Sequence, residues 1–185
     1  MEVKGGAVSS VPEFVRTKFG SRYEEWLDSL SEDSNKIMKE HIIPAISWYP
    51  IRPGLIEPTQ KICELFYDND ENGAWEAGRF SADIGLIGVY KMFVKLGSPK
   101  FIVGRAATIF SSYYKPCRME IAGEAEKMVV LHIKKFLELE RLVELRICGW
   151  IERALEISGS KAVKVELTKS LTNQDQVTEI VVEWK

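Results

Sequence analysis

The chain has 185 residues, 45% of them hydrophobic and 28% charged, which suits one globular domain with a sizeable core. With 25 basic and 27 acidic residues the net charge is −2, so the basic excess of a nucleic-acid binder is missing. No run of about 18 apolar residues is available to span a bilayer, and Met1–Ser10 lacks the apolar core of a secretory signal.

Three widely spaced cysteines, Cys63, Cys117 and Cys148, form no CxxC pair. A disulfide framework or a zinc site is not expected, and a reducing cytoplasm is. Residues 1–10 read as a flexible lead. Ser10 and Glu13 have the spacing of a capping box, which predicts a helix over Val11–Phe19 stopped at Gly20. Ser21 and Glu24 repeat the signal ahead of Trp26, Leu27 and Leu30, and a third short helix is expected over Ser34–Glu40. Ile46–Pro58 contains three prolines and Gly54, so it reads as a loop or turn pinned by Trp48 and Tyr49.

Pro58 suits the first turn of a helix that carries Ile62, Leu65 and Phe66 on one face. The next helix is expected over Ala74–Lys95. Its small residues, among them Ala77, Gly78, Ser81, Ala82, Gly85 and Gly88, imply that another helix or a ligand comes close. Ser98 and Pro99 then start a helix that runs to about Ser112. From there the apolar period changes to alternation. Arg118–Ala122 and Lys127–Lys134 read as strands joined at Gly123–Glu126, and Glu138–Ser158 as a long amphipathic helix ended by Gly159. Val163–Thr168 and Glu179–Trp184 read as two strands with one buried face each, joined by the polar loop Ser170–Gln176. The expected fold is α+β: a helical part, residues 11–115, packed on a four-stranded antiparallel ββαββ sheet, residues 116–185, crossed by one long helix.

Three stretches carry a family resemblance. Phe14–Gly20 followed by Trp26 is similar to an opening helix-Phe-Gly-helix. Gly149–Gly159 resembles the crossing helix and its stop. Val163–Leu167 with Glu179–Trp184 resembles a closing hairpin that ends in tryptophan. Together they resemble the superfamily of haem-nitric-oxide/oxygen-binding domains, four-vinyl-reductase-type ligand-binding domains and vesicle-tethering subunits of the Golgi transport complex. Bacterial paralogues of the haem-binding group look most similar.

That resemblance implies a sensor, and for its haem-binding members an iron-ligating histidine on a helix ahead of the sheet. It also implies a Tyr-x-Ser-x-Arg run for the propionates near the end of the second strand. Residues 91–112 contain no histidine, and Leu131–Glu138 lacks the run. Tyr114–Arg118 has the tyrosine and arginine spacing, but Pro116 replaces the serine and the run precedes the first strand. Haem is therefore not expected, and no other cofactor is. His41 reads as a residue that interacts with a helix C-terminus, and His132 as a partly exposed strand residue, rather than as ligands. The acidic run Asp68–Glu71 lacks EF-hand spacing. Cys117 is expected to be an unmodified thiol, although a cysteine in this region carries an acyl chain in vesicle-tethering relatives.

No catalytic motif occurs, and nothing in the spacing of Glu57, Glu64 or Glu76 selects them as catalytic carboxylates. The aromatic residues are core by default. Because relatives hold ligands between helices and sheet, the resemblance implies that Trp75, Phe80, Tyr90, Phe93, Phe110 and Tyr114 line a cavity there. The expected function is a non-enzymatic ligand-sensing or regulatory module without haem that takes an apolar small molecule. The alternative is a scaffold that homodimerises or docks a signalling partner protein. Neither involves nucleic acid or a membrane span.

Overall fold

The computed structural model describes residues 1–86 and 98–185. The first strand, β1 (Glu2–Lys4), lies between β2 (Trp48–Pro50) and β3 (Tyr114–Lys115) in a three-stranded antiparallel sheet. Val3 is opposite Tyr49 on one side and Tyr114 on the other, and it is fully buried. The first ten residues are thus not a flexible lead. Three residues are too few to show an alternation, and the pairing partners lie far along the chain, so the sequence carries no local sign of this strand. β2 likewise replaces part of the expected loop at Ile46–Pro58, and a π-helical turn over Arg52–Ile56 takes most of the rest.

A single helical turn, α1 (Gly5–Val8), leads into α2 (Ser10–Phe19). The expected capping box does not form. Ser10 Oγ donates to the Ala7 carbonyl at 2.6 Å, because the chain is already helical when it reaches Ser10. The helix does end at Phe19 with Gly20 as its C-cap, as expected, and the chain continues through a short turn into α3 (Tyr23–Asp28). There Trp26 is buried and donates its indole N–H to the Pro58 carbonyl at 3.1 Å. α4 (Glu32–Met38) starts on Ser31, whose hydroxyl accepts from the Ser34 amide. α5 (Glu57–Phe66), α6 (Asn72–Gly85) and α7 (Pro99–Tyr113) follow, the last capped by Ser98 as expected. The part of the Ala74–Lys95 helix beyond Leu86 lies outside the described residues.

The second sheet contains β4 (Arg118–Ala125), β5 (Met128–Lys134), β6 (Lys164–Lys169) and β7 (Thr178–Glu183) in the order β4-β5-β7-β6, all antiparallel. The crossing helix, α8 (Arg141–Ile157), packs on β6 and β7, while α7 packs on β4 and β5. The alternation read from the sequence sets the faces. Val129, Leu131, Ile133, Ile180 and Val182 are fully buried, and the intervening polar residues face outward. Gly159, at φ +93°, ends the chain's path along α8, a conformation that favours glycine. The α+β architecture expected from the sequence is the one present, with the small sheet added at its N-terminal end.

On the outer face of the large sheet, Glu179 is opposite His132, and its carboxylate bonds His132 Nε2 at 2.8 Å, Thr168 Oγ1 at 2.9 Å and Lys169 Nζ at 3.1 Å. These partners, His132 first, hold the Glu179 carboxyl down at about 2. A depressed carboxyl pKa stabilises the fold above the unfolded-state value of about 4.3, and that contribution is lost as pH falls through the folded-state value. Urea midpoints should therefore fall between about pH 5 and pH 2, and more steeply for the wild type than for Glu179→Gln. Parallel acid limbs for the two proteins would refute this assignment.

Candidate cavity and its buried arginine

Among the described residues α6 and α8 form the most closely packed helix pair, and two glycines set its distance. A Cβ at Gly78 would lie 2.1 Å from the Arg146 carbonyl oxygen, and one at Gly149 would lie 2.2 Å from that of Trp75. Each helix therefore seats a glycine on the other's backbone three residues from where it receives one. The small-residue face expected on α6 has this use, with Ala74, Ala77 and Ala82 buried alongside. On the outer edge of the pair, Arg79 bonds Glu152 and Glu156, and Arg153 bonds Asp83 and Glu156.

Where the pair meets α7 and the N-terminal segment there is a cavity of about 520 Å³, within the range of small-molecule sites. α6 contributes Gly78, Ser81 and Gly85 to its wall, and α7 contributes Ile109, Phe110 and Tyr113. Tyr114, Trp150, Lys4, Gly6 and Ala7 complete much of the rest. The aromatic side is a connected series: Trp150 meets Phe110 edge-on at 5.2 Å, Phe110 stacks near Tyr114 at 6.4 Å, and Tyr114 leans on Phe136 at 5.2 Å. Ala45 and Ile46 form the lip, and Ile46 is 81% exposed, so the space reaches the surface there.

Arg146 also lines this cavity, and it is only 4% exposed. Its guanidinium donates to Thr59 Oγ1 at 3.3 Å and to Ser10 Oγ at 3.2 Å. Both acceptors are neutral. Burial pushes the guanidinium pKa down to about 10, which still leaves it charged at neutral pH. Burial also pushes the neighbouring Cys63 thiol up to about 11 and raises the Tyr114 phenol, so neither supplies a negative charge.

One buried carboxylate sits two residues away, Glu144, at 0% exposure, but it faces elsewhere. Positions two apart on a helix do not share a side. Glu144 accepts from Ser170 Oγ at 2.7 Å, Thr172 Oγ1 at 3.5 Å and Thr178 Oγ1. It fastens the loop between β6 and β7 to α8. The helix thus buries one cation and one anion on different sides, and among the described residues each is hydrogen-bonded by neutral groups.

The residues singled out from the sequence separate into distinct places. Phe110 and Tyr114 are in the cavity wall. Trp75 instead donates its indole N–H to Glu152 at 2.8 Å, and Phe80 packs edge-on against Phe14 at 5.5 Å. Tyr90 and Phe93 lie outside the described residues. Glu57 is a helix cap, accepting from the Ser31 amide at 2.6 Å and from the Ser31 and Ser34 hydroxyls. Glu64 pairs with Lys61 at 2.5 Å, and Glu76 approaches Arg79 at 3.9 Å.

His41 is exposed, and His132 is the outward-facing partner of Glu179. Cys117 is half-buried, with its thiol pushed up to about 12 by burial, so it has little thiolate character. Among the described residues no group of three or more His, Cys, Asp or Glu side chains could hold a metal ion, and no helix is long and apolar enough to cross a membrane.

Arg146 was the residue that sequence reasoning missed. Its signal was present: it falls on the apolar stripe between Val143 and Trp150, where a charge is out of place.

Comparison with solved structures identifies the fold. The chain is similar to an H-NOX protein from S. oneidensis in the Fe(II)NO ligation state, with a TM-score of 0.72 and 14% identity over 98% of this chain and 99% of that one. The Fe(II)CO form of the Shewanella oneidensis H-NOX domain matches with a TM-score of 0.71 and 12% identity over 98% of each chain. The unliganded Fe(II) H-NOX protein from K. algicida matches with a TM-score of 0.69 and 9% identity, over 98% of this chain and 96% of that one. No family model and no curated protein matches the sequence.

The chain has the H-NOX-like fold that the three sequence stretches suggested. The residues of the cavity do not fit a haem held by histidine. The two histidines of the chain are at 41 and 132, and neither belongs to this wall. Among the described lining residues there is also no cysteine or methionine, and the phenol of Tyr114 resists the deprotonation that would suit it to iron.

Proposed function

We propose that this chain is a non-enzymatic ligand-sensing or regulatory module on the H-NOX-like fold, and that it binds an apolar small molecule without haem. The observation that carries the reading is the cavity of about 520 Å³ between α6, α7 and α8, lined mainly by apolar and aromatic side chains and reaching the surface at Ile46. The solved structures with this fold are described in Fe(II), NO-bound and CO-bound states, which supports a ligand-binding use of the same architecture.

The test is titration of the purified protein with an environment-sensitive apolar dye, alongside native mass spectrometry for a co-purified molecule. Saturable one-to-one uptake is expected. Ser81→Phe, which places a ring in the cavity at a half-exposed position of α6, is expected to abolish it. No uptake, or uptake that Ser81→Phe leaves unchanged, would remove the proposal. A stable dimer without uptake would favour a scaffold instead.

A further inference from the structure

We infer that the molecule taken by this cavity is a monoanionic amphiphile, a carboxylate on an apolar body, and that Arg146 is the residue that receives its head group. The inference rests on the cavity being a ligand site and adds the ligand's charge.

An isolated ion buried away from water is strongly disfavoured unless a counter-charge or a full set of hydrogen bonds replaces its hydration. Arg146 has neither. Among the described residues no carboxylate forms an ion pair with it, and residues 87–97 contain no Asp or Glu. The one buried carboxylate nearby, Glu144, is engaged on the opposite side of α8 by three hydroxyls. Among the described residues its guanidinium meets two acceptors, at 3.2 and 3.3 Å, and both are uncharged. The cation therefore lacks one negative charge, and it lines an opening large enough to bring one in.

The rest of the wall decides the class of anion. Phe110, Trp150 and the bare backbone at Gly78 and Gly85 offer apolar contact, and the other cation among the described lining residues, Lys4, is half-buried with its ammonium over the Trp48 ring at 4.9 Å, which leaves Arg146 as the buried one. A dianionic phosphate would exceed the single buried charge, whereas a carboxylate matches it and suits the planar fork of the guanidinium. The apolar body then occupies the aromatic side. Sequence places the arginine on the inner stripe of α8, the glycine-seated packing of α6 fixes its backbone, and the result is a polar end and an apolar end in one cavity.

The experiment compares decanoate with decanol, its uncharged counterpart, by calorimetric titration of the full chain at neutral pH, with inorganic phosphate as a competitor. Decanoate is expected to bind one-to-one and more tightly than decanol by about ten- to a hundred-fold, the range of a hydrogen bond to a charged group. Arg146→Met is expected to abolish the preference for decanoate, so that the variant binds decanoate and decanol alike, and its remaining decanol binding reports that the variant cavity is intact.

Equal affinity of the wild type for decanoate and decanol would overturn the role of Arg146 while keeping the apolar site. Binding of neither would remove both readings. Displacement of decanoate by phosphate alone, with no decanol binding, would make the site a simple oxyanion pocket and overturn the amphiphile. The wild-type comparison needs no variant, so a poorly folding Arg146→Met does not shield the inference.

Discussion

Gly149→Ala should destabilise the protein by about 2 kcal/mol, although the same change at an ordinary helix position stabilises by roughly 1 kcal/mol. The sign is the informative part. Gly149 lies inside α8, where alanine is the better helix former, so local propensity alone predicts a gain. The added methyl, however, would stand 2.2 Å from the Trp75 carbonyl oxygen. Backbone cannot turn aside as a side chain can, so α6 and α8 must separate. That separation strains the Arg79 and Arg153 ion pairs and the buried contacts along the whole helix pair.

Gly78→Ala should behave alike, its methyl lying 2.1 Å from the Arg146 carbonyl oxygen. Gly20 supplies the control. It is exposed and has helical backbone angles, and a methyl added there would meet no atom within 4 Å, so Gly20→Ala should stabilise by about 0.4–1 kcal/mol. Urea denaturation of the three variants distinguishes the cases. A gain at Gly149 comparable to that at Gly20 would mean that the helices do not touch through these glycines.

Legibility in the sequence followed the range of the interactions. The large sheet and α8 could be read because their faces repeat locally: Val163, Val165 and Leu167 alternate with charged residues, and Ile147, Ile151, Ala154 and Leu155 recur at helical spacing. The start of α7 could be read because Ser98 and Pro99 act within one turn. β1 could not, since its three residues are a strand only by virtue of Tyr49 and Tyr114, which pair with Val3 from remote parts of the chain.

The capping box at Ser10 failed for a related reason. The motif was genuine, but a preceding helical turn, held by the N-terminal strand, removed the free amides it would have served. At the cavity, Phe110 and Tyr114 were legible as surplus aromatics at the helix-to-sheet junction, whereas Trp75 and Phe80 are also aromatic and face other partners. Residue type does not say which way a helix is turned. Arg146 was recoverable from its position on an apolar stripe, but a charged residue on such a stripe more often reaches water along its flexible stem.

Arg146→Met should make the ligand-free protein more stable than the wild type, by about 1–2 kcal/mol. A methionine of similar length fills the same space without a charge to desolvate, and uncompensated buried ions are often improved by apolar replacement. Against this stands the loss of two hydrogen bonds. Ser10 keeps its bond to the Ala7 carbonyl, so its hydroxyl is not orphaned, whereas Thr59 is fully buried and loses its guanidinium partner. That loss costs about 1 kcal/mol, smaller than the several kcal/mol effective penalty of a buried ion without a counter-charge.

If the cation exists to hold an anion, the order should reverse when the anion is supplied. At a decanoate concentration about 100-fold above its Kd, the wild type gains roughly 2.7 kcal/mol by linkage, and the variant, having lost the affinity, gains far less. The thermal midpoints of the two proteins, measured with and without decanoate, should therefore cross. A variant less stable than the wild type in both conditions would show instead that Arg146 is a structural cation, held by Ser10 and Thr59 as part of the fold.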